Sequence, residues 1–227
     1  MRRSYDAAAM ALLTDIEVRV LGSLIEKQIT TPEYYPLTLN ALVAACNQKN
    51  NRNPVTSYSE SEIDDALFSL RDKNLAYVFH GSTSRVPKYK HVVPEVMHLS
   101  SAEVAALCVL MLSGPQTVGE IRTRGSRFYE FADLEEVEET LRSLSARESD
   151  PFVMKLARQP GQKEARFAHL LSGEPAFEQT IEAPTERKAR GGHDAERIAS
   201  LEDAVQNLTQ RVEELTAQFD SFKKQFE

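Results

Sequence analysis

Two cysteines in 227 residues, Cys46 and Cys108, are too few and too far apart for a disulfide framework or a zinc site. Each sits in an apolar run, so both read as buried, inert thiols. Long apolar runs are also missing. The longest near the start, Ala7 to Leu13, falls far short of the roughly 20 residues that span a bilayer. Arg2 and Arg3 precede it, as in a signal peptide, but Thr14-Asp15-Ile16-Glu17 follows at once and no small-residue cleavage site is evident. Residues 1–13 therefore read as a lead-in to the first helix, and the expectation is a cytoplasmic chain without membrane association.

Nor is positive charge in excess. There are 27 Lys and Arg against 34 Asp and Glu, a net charge of −7, of which residues 1–173 carry −2 and residues 174–227 carry −5. Strong nonspecific binding to nucleic acid is not expected from that balance. The catalytic signatures are absent too: no phosphate-cradling glycine loop, no His-Glu-x-x-His helix, no Gly-x-Ser-x-Gly elbow. The five histidines, His80, His91, His98, His169 and His193, are scattered. His80 and His91 meet at most across a hairpin, where ladder neighbours far outnumber metal ligands. The expectation is a binding protein and not an enzyme, with no cofactor and no metal.

What is present is a repeat. Leu13-Thr14-Asp15-Ile16-Glu17-Val18 matches Leu99-Ser100-Ser101-Ala102-Glu103-Val104. Both place a hydroxyl residue three positions ahead of a glutamate, the pattern of a capping box. A helical apolar face follows each: Val18, Leu21, Leu24 and Ile25 in one, Val104, Leu107, Leu110 and Met111 in the other. Further on, Ser59 to Leu70 parallels Asp133 to Leu144, again as capped helices. Between them lies a short middle helix, marked by Leu37, Leu39, Leu42 and Val43 in the first half and by Val118 and Ile121 in the second. The offset falls from 86 to 74 residues, so the first half holds about a dozen extra residues ahead of its third helix.

After the third helix the period changes. Leu75 to Phe79 and Val86 to Val93 flank Gly81-Ser82-Thr83-Ser84, while Phe152 to Leu156 and Arg166 to Leu171 flank Gln159-Pro160-Gly161-Gln162. Both read as hairpins. Three helices and a hairpin, twice over, is the order of a winged helix-turn-helix. The alternative is a generic helical domain with incidental hairpins, which the recurrence in both halves disfavours. The predicted fold is mainly α with small β-hairpins (α+β): winged-helix domains at 14–98 and 99–173, a linker at 174–195 and a coiled coil at 196–227.

The linker is rich in Glu, Pro, Ala and Gly, a composition poor for core formation. In the coil, Ile198, Val205, Val212, Phe219 and Phe226 alternate with Leu201, Leu208, Leu215 and Phe222 at spacings of 3 and 4. That seam favours a parallel homodimer. A helix folded back on its own domains is the alternative, but it would carry a broader apolar face.

A winged helix invites a reading as a DNA binder, and the residues resist it. The third helices carry Glu60, Glu62, Asp64 and Asp65 in one half and Glu135, Glu136, Glu138 and Glu139 in the other. Against phosphate those carboxylates repel, although they also suit a helix N-terminus. Candidate contacts for nucleic acid or a partner lie elsewhere. They are Asn47, Gln48, Lys49, Asn50 and Arg52 in the connector; Arg85, Lys88 and Lys90 on the first wing; Arg122, Arg124 and Arg127 after the second middle helix; and Arg158, Lys163 and Arg166 on the second wing. Asparagine clusters equally supply caps and Asx-turns. Two classes stay open: a protein–protein adaptor, and a DNA-binding regulator gripping phosphate through wings and connector.

Several longer strings resemble the bacterial YceH family. They are Gly22 to Pro32, Tyr35 to Asn40, Ala45 to Arg52, Arg127-Phe128-Tyr129-Glu130-Phe131 and Asp150-Pro151-Phe152-Val153. The likeness spans residues 14–173. It implies a tandem winged-helix fold, a bacterial source and a cytoplasmic location, and it carries no catalytic or ligand residues across.

Overall fold

The computed structural model describes residues 12–79, 86–147, 151–158 and 162–175. The seam from Ile198 to Phe222, all but the first two linker residues, His80 and Arg85 lie outside that set. Among the described residues the fold is α+β with small antiparallel sheets.

Helix starts follow the expected chemistry. In α1 (Asp15–Thr30), the Glu17 N–H donates to Thr14 Oγ1 at 3.3 Å while Glu17 Oε2 accepts from the Thr14 N–H at 2.7 Å. Reciprocal boxes of the same kind open α3 (Glu60–Asp72) at Ser59, α5 (Ser101–Ser113) at Ser100 and α6 (Val118–Gly125) at Thr117. Each satisfies backbone N–H groups that a helix start leaves without partners. Asp133 caps α7 (Leu134–Ser145), but Glu136 turns away from that cap to accept from Tyr129 Oη and the Ala132 N–H, both at 2.7 Å.

The middle helix of the first half, α2 (Leu39–Cys46), starts later than predicted. Leu37 belongs to a two-residue strand, β1 (Leu37–Thr38), because Thr38 is the N-cap and leaves Leu37 extended. The hairpin is β2 (Ala76–Phe79) and β3 (Lys88–His91), and β1 adds to its far edge in the order β1-β3-β2. Val93, expected at the end of a strand, instead opens a short helix, α4 (Val93–Met97), with Pro94 tolerated in its first turn. In the second half β4 (Val153–Lys155) pairs with β5 (Phe167–His169). Gln116, just ahead of the α6 cap, bridges Phe167 through backbone hydrogen bonds of 3.0 and 2.8 Å. The two halves thus repeat even the short strand that precedes the middle helix.

Packing departs from the expectation of one apolar face per helix. Around α5 not only Val104, Leu107, Leu110 and Met111 but also Ala105, Ala106, Cys108, Val109 and Leu112 are buried. A helix apolar on every side must be covered on every side. Here α1 packs on α5 from the first half, and α6, α7 and β5 from the second. One continuous core therefore runs from Leu13 to Leu171. The helices approach closely at Gly22, where a Cβ would lie 2.9 Å from Leu112 Cδ2 and 3.1 Å from its Cγ. Cys108 Sγ donates to the Gly22 carbonyl at 3.5 Å, and burial pushes that thiol well above its usual range. Burial raises Cys46 as well, to about 11. No described helix is long and apolar enough to cross a membrane.

Gly22→Ala forces α1 and α5 apart and is expected to cost about 1–3 kcal/mol in urea unfolding. Gly119→Ala, where a Cβ meets nothing within 4 Å, is expected to gain roughly 0.5–1 kcal/mol from helix propensity. Equal effects of the two would refute the close-approach argument.

Candidate functional site

The buried face of α1 carries Arg19, Ser23 and Glu26, spaced by four and three residues and so aligned along the helix. The connector after α2 folds over this face. Asn47 closes it as an Asx-type clamp: Nδ2 donates to the Tyr58 carbonyl and Oδ1 accepts from the Tyr58 N–H, each at 2.8 Å. Arg19 donates to the carbonyls of Cys46 (3.1 Å) and Pro54 (2.7 Å) and to Thr56 Oγ1 (3.0 Å). Its pKa is lowered by burial first and by the neighbouring Arg52 guanidinium second.

Arg52, expected to be available for a ligand, is buried. Its guanidinium pairs with Glu26 through both nitrogens and also donates to the Ala45 carbonyl at 2.8 Å and Gln48 Oε1 at 3.3 Å. Arg127, from the second half, reaches the same carboxylate: its NH2 lies 2.6 Å from Glu26 Oε1. Glu26 is 1% exposed and is shared by two guanidiniums. A carboxylate withdrawn from water is tolerable only with such partners.

Above this triad opens a cleft of about 490 Å³, lined by Asn51, Gly119, Glu120, Thr123, Arg124 and Arg127. The connector supplies Asn51, held at φ 56°, and α6 with its C-terminal turn supplies the rest. Arg166 closes on Glu120 with NH1 2.8 Å from Oε2 and NH2 3.1 Å from Oε1. Partial burial would raise the Glu120 pKa, but the Thr117 N–H and Arg166 outweigh it and hold the carboxyl below its usual range. Arg122 donates to the Ala132 carbonyl at 2.6 Å. Arg124 is exposed and makes no hydrogen bond or ion pair among the described residues.

Of the other expected contacts, Lys49, Asn50, Arg158 and Lys163 are exposed. Lys88 and Lys90 lie on one sheet face opposite Phe79 and Tyr77, and Lys90 Nζ sits 4.6 Å from the Tyr77 ring centroid. On α3, Glu60, Glu62, Asp64 and Asp65 are exposed beside Phe68, itself 62% exposed. On α7, Glu135, Glu138 and Glu139 are exposed, whereas Glu136 is half-buried in the bonds described above. The structure therefore gathers Arg52, Arg124, Arg127 and Arg166 around one junction. Sequence reasoning missed Glu26, Gly119 and Phe68. Only Phe68 left a trace, as an apolar residue off the buried stripe of its helix. Among the described residues no three His, Cys, Asp or Glu side chains stand together as a metal would need.

His91 is 4% exposed; its Nδ1 accepts from the Val93 N–H at 3.3 Å, and burial, then Lys90, lowers its pKa to about 4. The unfolded chain binds this proton more readily than the folded one. Stability present above pH 6.5 is therefore lost as pH falls toward 4, by an amount on the order of 3 kcal/mol. His91→Asn keeps an acceptor without the titration and is expected to flatten the stability profile in that window; an unchanged profile would assign the slope elsewhere. Glu26→Gln removes the counter-charge shared by two guanidiniums and is expected to cost about 3–5 kcal/mol, read as a lower denaturant midpoint at constant slope.

Residues 13–162 match the sequence pattern of the family described as "Protein of unknown function, DUF480". A UPF0502 protein of Geobacter sulfurreducens is 50% identical over 218 residues, covering 95% of this chain and 99% of its own length. One of Citrifermentans bemidjiense is 54% identical over 196 residues, 86% and 89% of the two chains. Another, from Aliivibrio fischeri, is 48% identical over 212 residues, 91% and 95% of the two.

Proposed function

This chain belongs to the DUF480 family, and from that premise we propose that it is a protein–protein interaction adaptor, not an enzyme, with two winged-helix halves and a C-terminal coil that pairs two copies. The outer face of α3 carries the reading. Four exposed carboxylates beside a 62% exposed Phe68 repel phosphate and offer an apolar anchor to a partner of basic and apolar character. Four of the cations expected to grip DNA are engaged within the fold: Arg52 and Arg127 on Glu26, Arg166 on Glu120, Arg122 on a carbonyl.

The winged-helix reading, with halves near 14–98 and 99–173, is supported by the recurrence in each half. Three helices lead into an antiparallel hairpin, and the segment ahead of the middle helix pairs with its second strand. Membership of the YceH group, a cytoplasmic location and dimerisation through the heptads complete the proposal. A second reading, a DNA-binding regulator, is favoured by one observation: Lys88 and Lys90 stand opposite Phe79 and Tyr77 on an exposed sheet face.

Affinity capture from native cytoplasm, with a nuclease-treated sample in parallel, separates the two. Polypeptides retained after nuclease and lost with Phe68→Ser are the expected outcome, together with no retardation of random duplex at about 50 mM salt. Micromolar retardation that strengthens as salt falls would move the function to the regulator. Light scattering is expected to give twice the monomer mass for the full chain and a single monomer mass for residues 1–173.

A further inference from the structure

We propose that the cleft between the connector and α6 binds a small phosphate monoester of nucleotide size. The argument starts from charge. Arg52, Arg124, Arg127 and Arg166 gather at this junction against two carboxylates, Glu26 and Glu120. Both carboxylates are already engaged, Glu26 by Arg52 and Arg127 and Glu120 by Arg166 and the Thr117 N–H. Two positive charges are left in excess, and one of them, Arg124, lies on the cleft wall with no hydrogen bond or ion pair among the described residues. An open cleft whose uncompensated charge is of one sign concentrates the opposite ion.

The donor set favours phosphate over carboxylate. Arg124 and Arg127 line the same cleft, and a tetrahedral dianion can accept from two guanidinium forks at once, whereas a carboxylate is filled by one. Arg127 is held in place for this by Glu26 on one side and by the Phe128 ring, 4.4 Å from its Cζ, on the other. Preorganisation of that kind lowers the entropic cost of binding. Asn51 adds an amide to the wall.

Size sets the rest of the ligand. About 490 Å³ exceeds what a bare phosphate occupies and falls among small-molecule sites. Gly119 keeps that space open, since a Cβ there meets nothing within 4 Å. A side chain at this position would project into the volume the ligand needs without disturbing the fold.

Calorimetric titration of the full chain with adenosine 5′-monophosphate, adenosine and inorganic phosphate tests the assignment. The monophosphate is expected to bind with a micromolar to sub-millimolar dissociation constant that weakens with added salt, and adenosine is expected not to bind. Arg124→Gln is expected to weaken binding about tenfold or more while changing the ligand-free melting temperature little, because this exposed side chain makes no hydrogen bond or ion pair among the described residues and acts on Glu120 only through its charge. Gly119→Leu is expected to abolish binding in a chain that remains folded. Failure of the monophosphate to bind at millimolar concentration overturns the proposal, as does wild-type affinity in both variants. Inorganic phosphate binding as tightly as the monophosphate would overturn the nucleotide-sized ligand.

Discussion

Glu26 lies on α1 with its carboxylate withdrawn from water and divided between Arg52 of the connector and Arg127 of the second half. A charge buried there requires a counter-charge, which the buried Arg52 and the part-exposed Arg127 both supply. The requirement ties together three segments that local chemistry leaves independent. One turn earlier on the same helix, Gly22 removes the side chain that would keep α5 away. The polar triad and the apolar contact thus sit side by side on α1, and the two halves share one interior because of them.

The same constraint sorts the surface. Cations drawn into the junction are withdrawn from general use, and the outer face of α3 keeps four exposed carboxylates. Arg52 is the clearest case: a surface ligand by composition, an internal counter-ion by position. Three surfaces stay distinct as a result: an acidic helix with an apolar anchor, a sheet face pairing lysines with aromatics, and a cleft with an excess of guanidinium. Each suits a different chemistry.

Local structure was legible because its causes are local. Thr14 with Glu17, Ser59 with Glu62 and Ser100 with Glu103 start helices through bonds three residues long, and the hairpins follow from β-rich runs around turn residues. The misreadings have local causes too. Thr38 was available as a cap, which excluded Leu37 from the helix, and Pro94 in a first turn converted the end of a strand into α4. The candidate site was legible only as an inventory of cations, since pairing depends on partners 26 and 101 residues away in Glu26.

By itself the sequence determined most element types, the caps at Thr14, Ser59, Ser100 and Asp133, and the repeat of one helical order in two halves, since these rest on hydrogen bonds and periodicities within a few residues. It marked one apolar stripe on α5, Val104, Leu107, Leu110 and Met111, without showing that the remainder of that helix is buried too. Only tertiary structure decided that α1 covers it, that Arg52 is buried while Arg124 is not, and that Gly119 faces open space. Burial and charge pairing are properties of what surrounds a side chain, and those surroundings come from segments far apart along the chain.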